Sequence, residues 1–111
     1  MPKQLTGKTA TISNGHLSYE VHNANSEFVP VLATLLQEQL GISPVSLPGI
    51  SASEVALKME LNGIELDIGW DVWSGVYVMA RCEQGDLLVR RLASYLDDEL
   101  EKPIYRKFLI L

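Results

Sequence analysis

The dipeptide Asn62-Gly63 separates two runs in which apolar and polar residues alternate, Glu54-Val55-Ala56-Leu57-Lys58-Met59-Glu60-Leu61 before it and Ile64-Glu65-Leu66-Asp67-Ile68-Gly69-Trp70 after it. Asn-Gly readily supplies the two left-handed residues of a type I′ turn, whose twist matches that of paired strands, so Ser53 to Trp70 reads as a β-hairpin. A two-residue turn fixes the register: Leu61 faces Ile64, Met59 faces Leu66, Leu57 faces Ile68 and Val55 faces Trp70. Side chains alternate along a strand, so all of these project from one face. Burying each is worth about 1.5–3 kcal/mol before entropy is charged. A two-stranded ribbon is not stable alone, and the rest of the chain must cover that face. The opposite face carries Glu54, Lys58, Glu60, Glu65 and Asp67. There Lys58 meets Asp67 favourably, while Glu60 meets Glu65 at a small cost that water can screen.

The cover comes from two amphipathic stretches. Phe28, Val31, Leu32, Leu35, Leu36 and Leu40 recur at helical spacing, with capping residues in Asn23-Ala24-Asn25-Ser26-Glu27, Pro30 in the first turn and Gly41 as a stop. Glu83-Gln84-Gly85-Asp86 opens a second helix whose stripe is Val89, Leu92, Ala93, Leu96 and Leu100, flanked by Leu88 and Tyr95, and Pro103 ends it. Asn14-Gly15 signals another hairpin between Lys8–Ser13 and His16–His22, with Leu17, Tyr19 and Val21 pointing inward and His16, Ser18 and Glu20 outward. Ile42 to Ser51, containing Pro44, Pro48 and Gly49, reads as a surface connection. Gly69 to Gly75 turns the chain into a further strand, Val76–Ala80, and Ile104–Leu111 reads either as a final edge strand or as a packed tail. The order ββαβββα, with that optional C-terminal strand, describes one α+β domain over residues 1–111. It has an antiparallel sheet of about five strands and two helices on one face.

Charge and composition narrow the partners. A formal net charge of −5 argues against nucleic acid or an anionic membrane as the direct partner, since both require a basic patch, and it suits a basic one. No apolar run approaches the roughly 18 residues of a membrane span, and the Met-Pro-Lys-Gln start has no hydrophobic signal core, so the expected location is the cytoplasm. Cys82, the single cysteine, permits neither an internal disulfide nor a cysteine zinc site, and it reads as a small half-buried residue. His16 and His22 lack a third ligand and read as surface strand residues; no metal and no cofactor is expected.

There is no phosphate-binding glycine loop, nucleophile elbow, His-Glu-x-x-His or Cys-x-x-Cys motif, and no catalytic activity is expected. Chemistry concentrates between Gly69 and Gly75, where two indoles, a carboxylate and a hydroxyl share a short segment. As turn chemistry, Trp70 closes the edge of the core while Asp71 and Ser74 satisfy backbone groups. As a recognition surface, an exposed tryptophan beside an aspartate has the composition of a binding hot spot. Two rival readings belong to other classes. One is a small ligand-binding or enzymatic domain with His16 or His22 as acid/base and Asp71 as partner. The other is a subunit that self-associates through an edge strand or its apolar tail.

The segment Trp70-Asp71-Val72-Trp73-Ser74-Gly75-Val76-Tyr77-Val78-Met79-Ala80, followed by Asp86 and by Leu92-Ala93-Ser94-Tyr95-Leu96, resembles small bacterial immunity proteins of polymorphic-toxin and contact-dependent growth inhibition systems. The resemblance covers the second half of the chain at most. It implies a non-catalytic protein that binds and neutralises a cognate toxin inside the producing cell. Many such toxins are nucleases with basic clefts, which an acidic surface would fill. The contact residues expected on that basis are Glu60, Glu65, Asp67, Asp71 and Trp73.

Overall fold

In a computed structural model, which describes residues 4–45, 49–50 and 54–110, the central hairpin consists of β5 (Glu54–Leu61) and β6 (Ile64–Asp71). Ser53, Pro48, Ser51, Leu111 and the Met1-Pro2-Lys3 start lie outside the described residues. The register is the one the turn dictates, from Leu61 opposite Ile64 to Val55 opposite Trp70. Asn62 and Gly63 take φ of 51° and 81°, the left-handed pair of a type I′ turn. Leu57, Met59, Leu66 and Ile68 are buried, as the shared face requires.

Around this hairpin stand β1 (Lys8–Thr11), β2 (Leu17–Val21) and β7 (Gly75–Ala80), in the spatial order β1-β2-β7-β6-β5, every pair antiparallel. The outer edge of β5 is shared by two short strands, β3 (Ser43–Pro44) and β4 (Gly49–Ile50), pairing with Met59–Glu60 and Val55–Ala56 respectively. The described residues thus form seven strands rather than about five. The surface connection is partly sheet, because β5 offers unpaired backbone groups that even a proline- and glycine-rich segment can satisfy over two residues.

The Asn14-Gly15 pair closes the first hairpin in another way. The loop is Ser13-Asn14-Gly15: the Gly15 N–H donates to the Ile12 carbonyl, the Ile12 N–H donates to the His16 carbonyl, and Gly15 has φ of 84°. This is the three-residue turn ending in a left-handed glycine. Thr11 therefore pairs with Leu17 and Ala10 with Ser18. Asn14 braces the turn, accepting from the His16 N–H at 2.8 Å and donating to the Ala80 carbonyl at 3.1 Å.

Two helices, α1 (Phe28–Leu40) and α2 (Glu83–Glu99), pack on the apolar face. Phe28, Val29, Leu32 and Leu36 of the first meet Val89, Leu92 and Leu96 of the second in one core with Tyr19, Val76, Val78 and Ile68. Asn25 does not cap α1 from the N-cap position, which Glu27 holds without a side-chain bond; its Oδ1 accepts the Glu27 N–H one turn earlier. Helix α2 is capped by Cys82, whose Sγ accepts the Gly85 N–H at 3.4 Å. Helix α2 stops at Glu99, and a few residues on Pro103 opens a 3₁₀ helix, Pro103–Phe108, that buries Tyr105 and Phe108 against Phe28 with ring centroids 5.9 and 5.3 Å apart. The tail is thus packed, with one bridge from Leu109 to Ala24 in place of an edge strand.

Candidate functional site

Both helices pack on one side of the sheet, and no described helix lies over the other, although Ser18 on that side is buried. Strand parity and register place Glu54, Ala56, Lys58 and Glu60 of β5, Glu65, Asp67, Gly69 and Asp71 of β6, Tyr77 and Met79 of β7, Ser18 and Glu20 of β2 and Lys8 of β1 on that face. Tyr77 lies at its centre, opposite Glu20 on one side and Gly69 on the other. A Cβ at position 69 would stand 2.6 Å from the Tyr77 hydroxyl oxygen and 2.2 Å from the Val55 carbonyl oxygen, so the phenol ring lies across the bare glycine towards β5. Burial, and then the charges of Glu54, Asp71 and Asp67, raise the Tyr77 pKa, so the hydroxyl stays a neutral donor among carboxylates. Open hollows flank the tyrosine. One, of about 540 Å³, touches Ala56, Lys58, Asp67 and Arg81, and the other, of about 330 Å³, touches Ser18, Glu20, Asp71 and Ser74.

The expected contact residues fall on this face or at its end, but their states differ. Glu60 and Glu65 face each other across the hairpin as the register requires, Glu65 exposed and Glu60 half-buried. Asp67 stands opposite Lys58, and its carboxylate also accepts from Arg81 Nε at 2.6 Å and Nη2 at 3.1 Å, a bidentate ion pair. Asp71 turns its Oδ1 back onto the chain, where it accepts the N–H groups of Trp73 at 2.9 Å and Ser74 at 2.6 Å. That oxygen is occupied with holding the turn.

Trp73 is 83% exposed, and Val72 beside it is 56% exposed. Strand β6 runs on to Asp71 and β7 begins at Gly75, so the turn is only Val72-Trp73-Ser74, shorter than the Gly69–Gly75 segment suggests. Gly75 closes it at φ of 71° against the β2 backbone, where a Cβ would meet the Val21 carbonyl oxygen at 2.4 Å. Trp70 belongs to the other face: it is half-buried against the core, and its Nε1 is buried without a hydrogen-bond partner among the described residues. The segment thus combines a core indole, backbone-satisfying turn chemistry and an exposed indole.

The histidines take other partners than Asp71. His16 Nδ1 lies 3.0 Å from Asp86 Oδ2, while Asp86 Oδ1 accepts the Leu17 N–H at 2.8 Å; these contacts tie the start of β2 to the first turn of α2. The His16 bond first, and then the Leu17 N–H, hold the Asp86 carboxyl below its ordinary value. His22 Nε2 lies 2.8 Å from Glu20 Oε1, and the His22 backbone passes beside Gly75. No group of three or more histidine, cysteine or acidic side chains among the described residues is placed to hold a metal ion.

Sequence reasoning missed Tyr77 and Arg81 as parts of this face. The parity of β7, with Val76, Val78 and Ala80 pointing inward, was a signal for Tyr77. Nothing local announces that β2 lies beside β7 and brings Glu20 next to it. No described helix is long and apolar enough to cross a membrane. Comparisons with protein-family models, with curated proteins and with solved structures gave no match.

Proposed function

We propose that the chain is a non-catalytic binding protein, an immunity protein that neutralises a cognate bacterial toxin by seating the open face of its sheet in a basic cleft. The observation that carries this reading is the charge of that face. Among the described residues it presents the carboxylates of Glu20, Glu54, Glu60, Glu65, Asp67 and Asp71 against the cations Lys8, Lys58 and Arg81, around a central tyrosine. A surface of this kind attracts a partner built to hold phosphates and accelerates their encounter. Arg81 already engages Asp67, so Glu60 and Glu65, which repel each other across the hairpin, gain most from a partner's lysine or arginine.

The test is calorimetry of the purified protein against the toxin domain encoded in the adjacent reading frame, together with co-expression of the two. Binding is expected to weaken as salt rises, and replacing Glu60 and Glu65 by lysine should slow association about tenfold or more at low ionic strength. Absence of affinity in the wild-type protein, with growth unprotected, would dispose of the reading.

A further inference from the structure

We infer that the Val72–Trp73 tip is a preformed anchor that seats in an apolar socket of the basic partner, and that Asp71 serves it as a positioning residue rather than as a contact. The inference rests on the function proposed above and says which part of the surface carries the affinity. A tryptophan left 83% in water beside a valine left 56% in water is apolar area that folding did not use. Large aromatic side chains entering desolvated pockets dominate protein interfaces.

The tip is also held before any partner arrives. Asp71 Oδ1 fastens the N–H groups of Trp73 and Ser74, and Gly75 wedges the far end against the Val21 and His22 backbone. A loop already fixed loses little entropy on binding. The socket is further defined by charge: the tip stands at the end of the face that carries Glu20, Glu60, Glu65 and Asp67, so lysine or arginine beside the socket complements that face as a whole rather than Asp71 itself. Of the other exposed apolar side chains, Leu87 at 68% borders a hollow at the Asn62 end of the hairpin beside Arg91, and Ile104 at 65% stands on the 3₁₀ helix that carries Arg106 and Lys107, cations that would repel the same basic partner.

The experiment compares the affinities of wild type, Trp73→Ala, Asp71→Asn and Asp71→Ala for the same toxin domain, with thermal unfolding of each variant as the folding control. Trp73→Ala should weaken binding at least about thirtyfold. Asparagine keeps the acceptor oxygen and loses the charge, so Asp71→Asn should stay within about threefold of wild type, whereas Asp71→Ala should fall about tenfold or more. In a Trp70→Phe background the remaining indole should become shielded from acrylamide in the complex. Binding by the wild type with Trp73→Ala within about threefold of it overturns the anchor and leaves the proposed function standing. An Asp71→Asn variant as weak as Asp71→Ala overturns the positioning role in favour of a charge contact. A wild type that does not bind overturns both inference and function.

Discussion

A methyl group at position 69 would press on two neighbours of unequal give. The Tyr77 hydroxyl oxygen, 2.6 Å away, belongs to a side chain that can swing aside, but the Val55 carbonyl oxygen at 2.2 Å is backbone in the hydrogen-bonded strand β5. Crowding of this kind costs about 1–3 kcal/mol when the surroundings cannot relax. Gly69→Ala should therefore lower the urea midpoint, and adding Tyr77→Ala should restore only a minor part of the loss. Full restoration would mean that the ring, not the strand, forbids the side chain. The same glycine shows what a sequence can hide. Alternation puts Gly69 on the outward face with Glu65 and Asp67, but the ring lying on it comes from a strand whose register no local pattern states. Asp71 was legible as a turn residue and as a charge; that its Oδ1 is taken up by two backbone donors follows only from coordinates.

The elements that could be read in advance were those whose order is decided within their own span. The β5–β6 hairpin is one, because Asn62-Gly63 fixes its register and period-two alternation fixes its faces. The helices are others, since their stripes follow from spacing. Elements that depend on a neighbour escaped: β3 and β4 exist because β5 has an edge to fill, and Pro103–Phe108 coils because Phe28 offers Tyr105 and Phe108 a place to pack. Helix α2 carries a prediction of its own. Its first turn has the favourable acids Glu83 and Asp86, yet its cap is a thiol, a weak acceptor at 3.4 Å from the Gly85 N–H. A hydroxyl accepts more strongly, and serine is among the preferred capping residues. Cys82→Ser should raise stability by about 0.5–1 kcal/mol in urea unfolding. A loss instead would show that the half-buried sulfur matters more for packing than for the cap.

At the scale of the molecule, the helices are fastened to the sheet and the tail by ionisable groups, which makes stability a function of pH with a definite sign. Tyr19, buried in β2, donates to Asp97 of α2 at 2.7 Å, and burial first, then that bond, hold its hydroxyl pKa above the ordinary 10.0. Glu99 near the end of α2 accepts from the Tyr105 hydroxyl and from Lys102 Nζ, the latter at 2.9 Å, and these bonds hold its carboxyl below 4.5; Asp86 is likewise held below 3.8. A carboxyl with a depressed folded value contributes stability that is present above its unfolded pKa and fades as pH falls through the folded one. A tyrosine with a raised value contributes stability that is present below its unfolded pKa and fades as pH climbs towards the folded one. Stability should hence fall on the acid side below about pH 4.5 and on the alkaline side above about pH 10. Glu99→Gln should make the acid limb shallower by freeing the 3₁₀ tail from that titration, and, because Glu99 also helps to raise the Tyr105 and Tyr95 hydroxyls, it should make the alkaline limb somewhat shallower too. Tyr19→Phe should make the alkaline limb shallower, at a cost near neutrality of about 1 kcal/mol for the lost hydrogen bond. Urea midpoints of the three proteins across both limbs decide the matter: an acid limb in Glu99→Gln as steep as that of the wild type would move the acid sensitivity away from the tail and onto the clasp between Asp86, His16 and the start of β2.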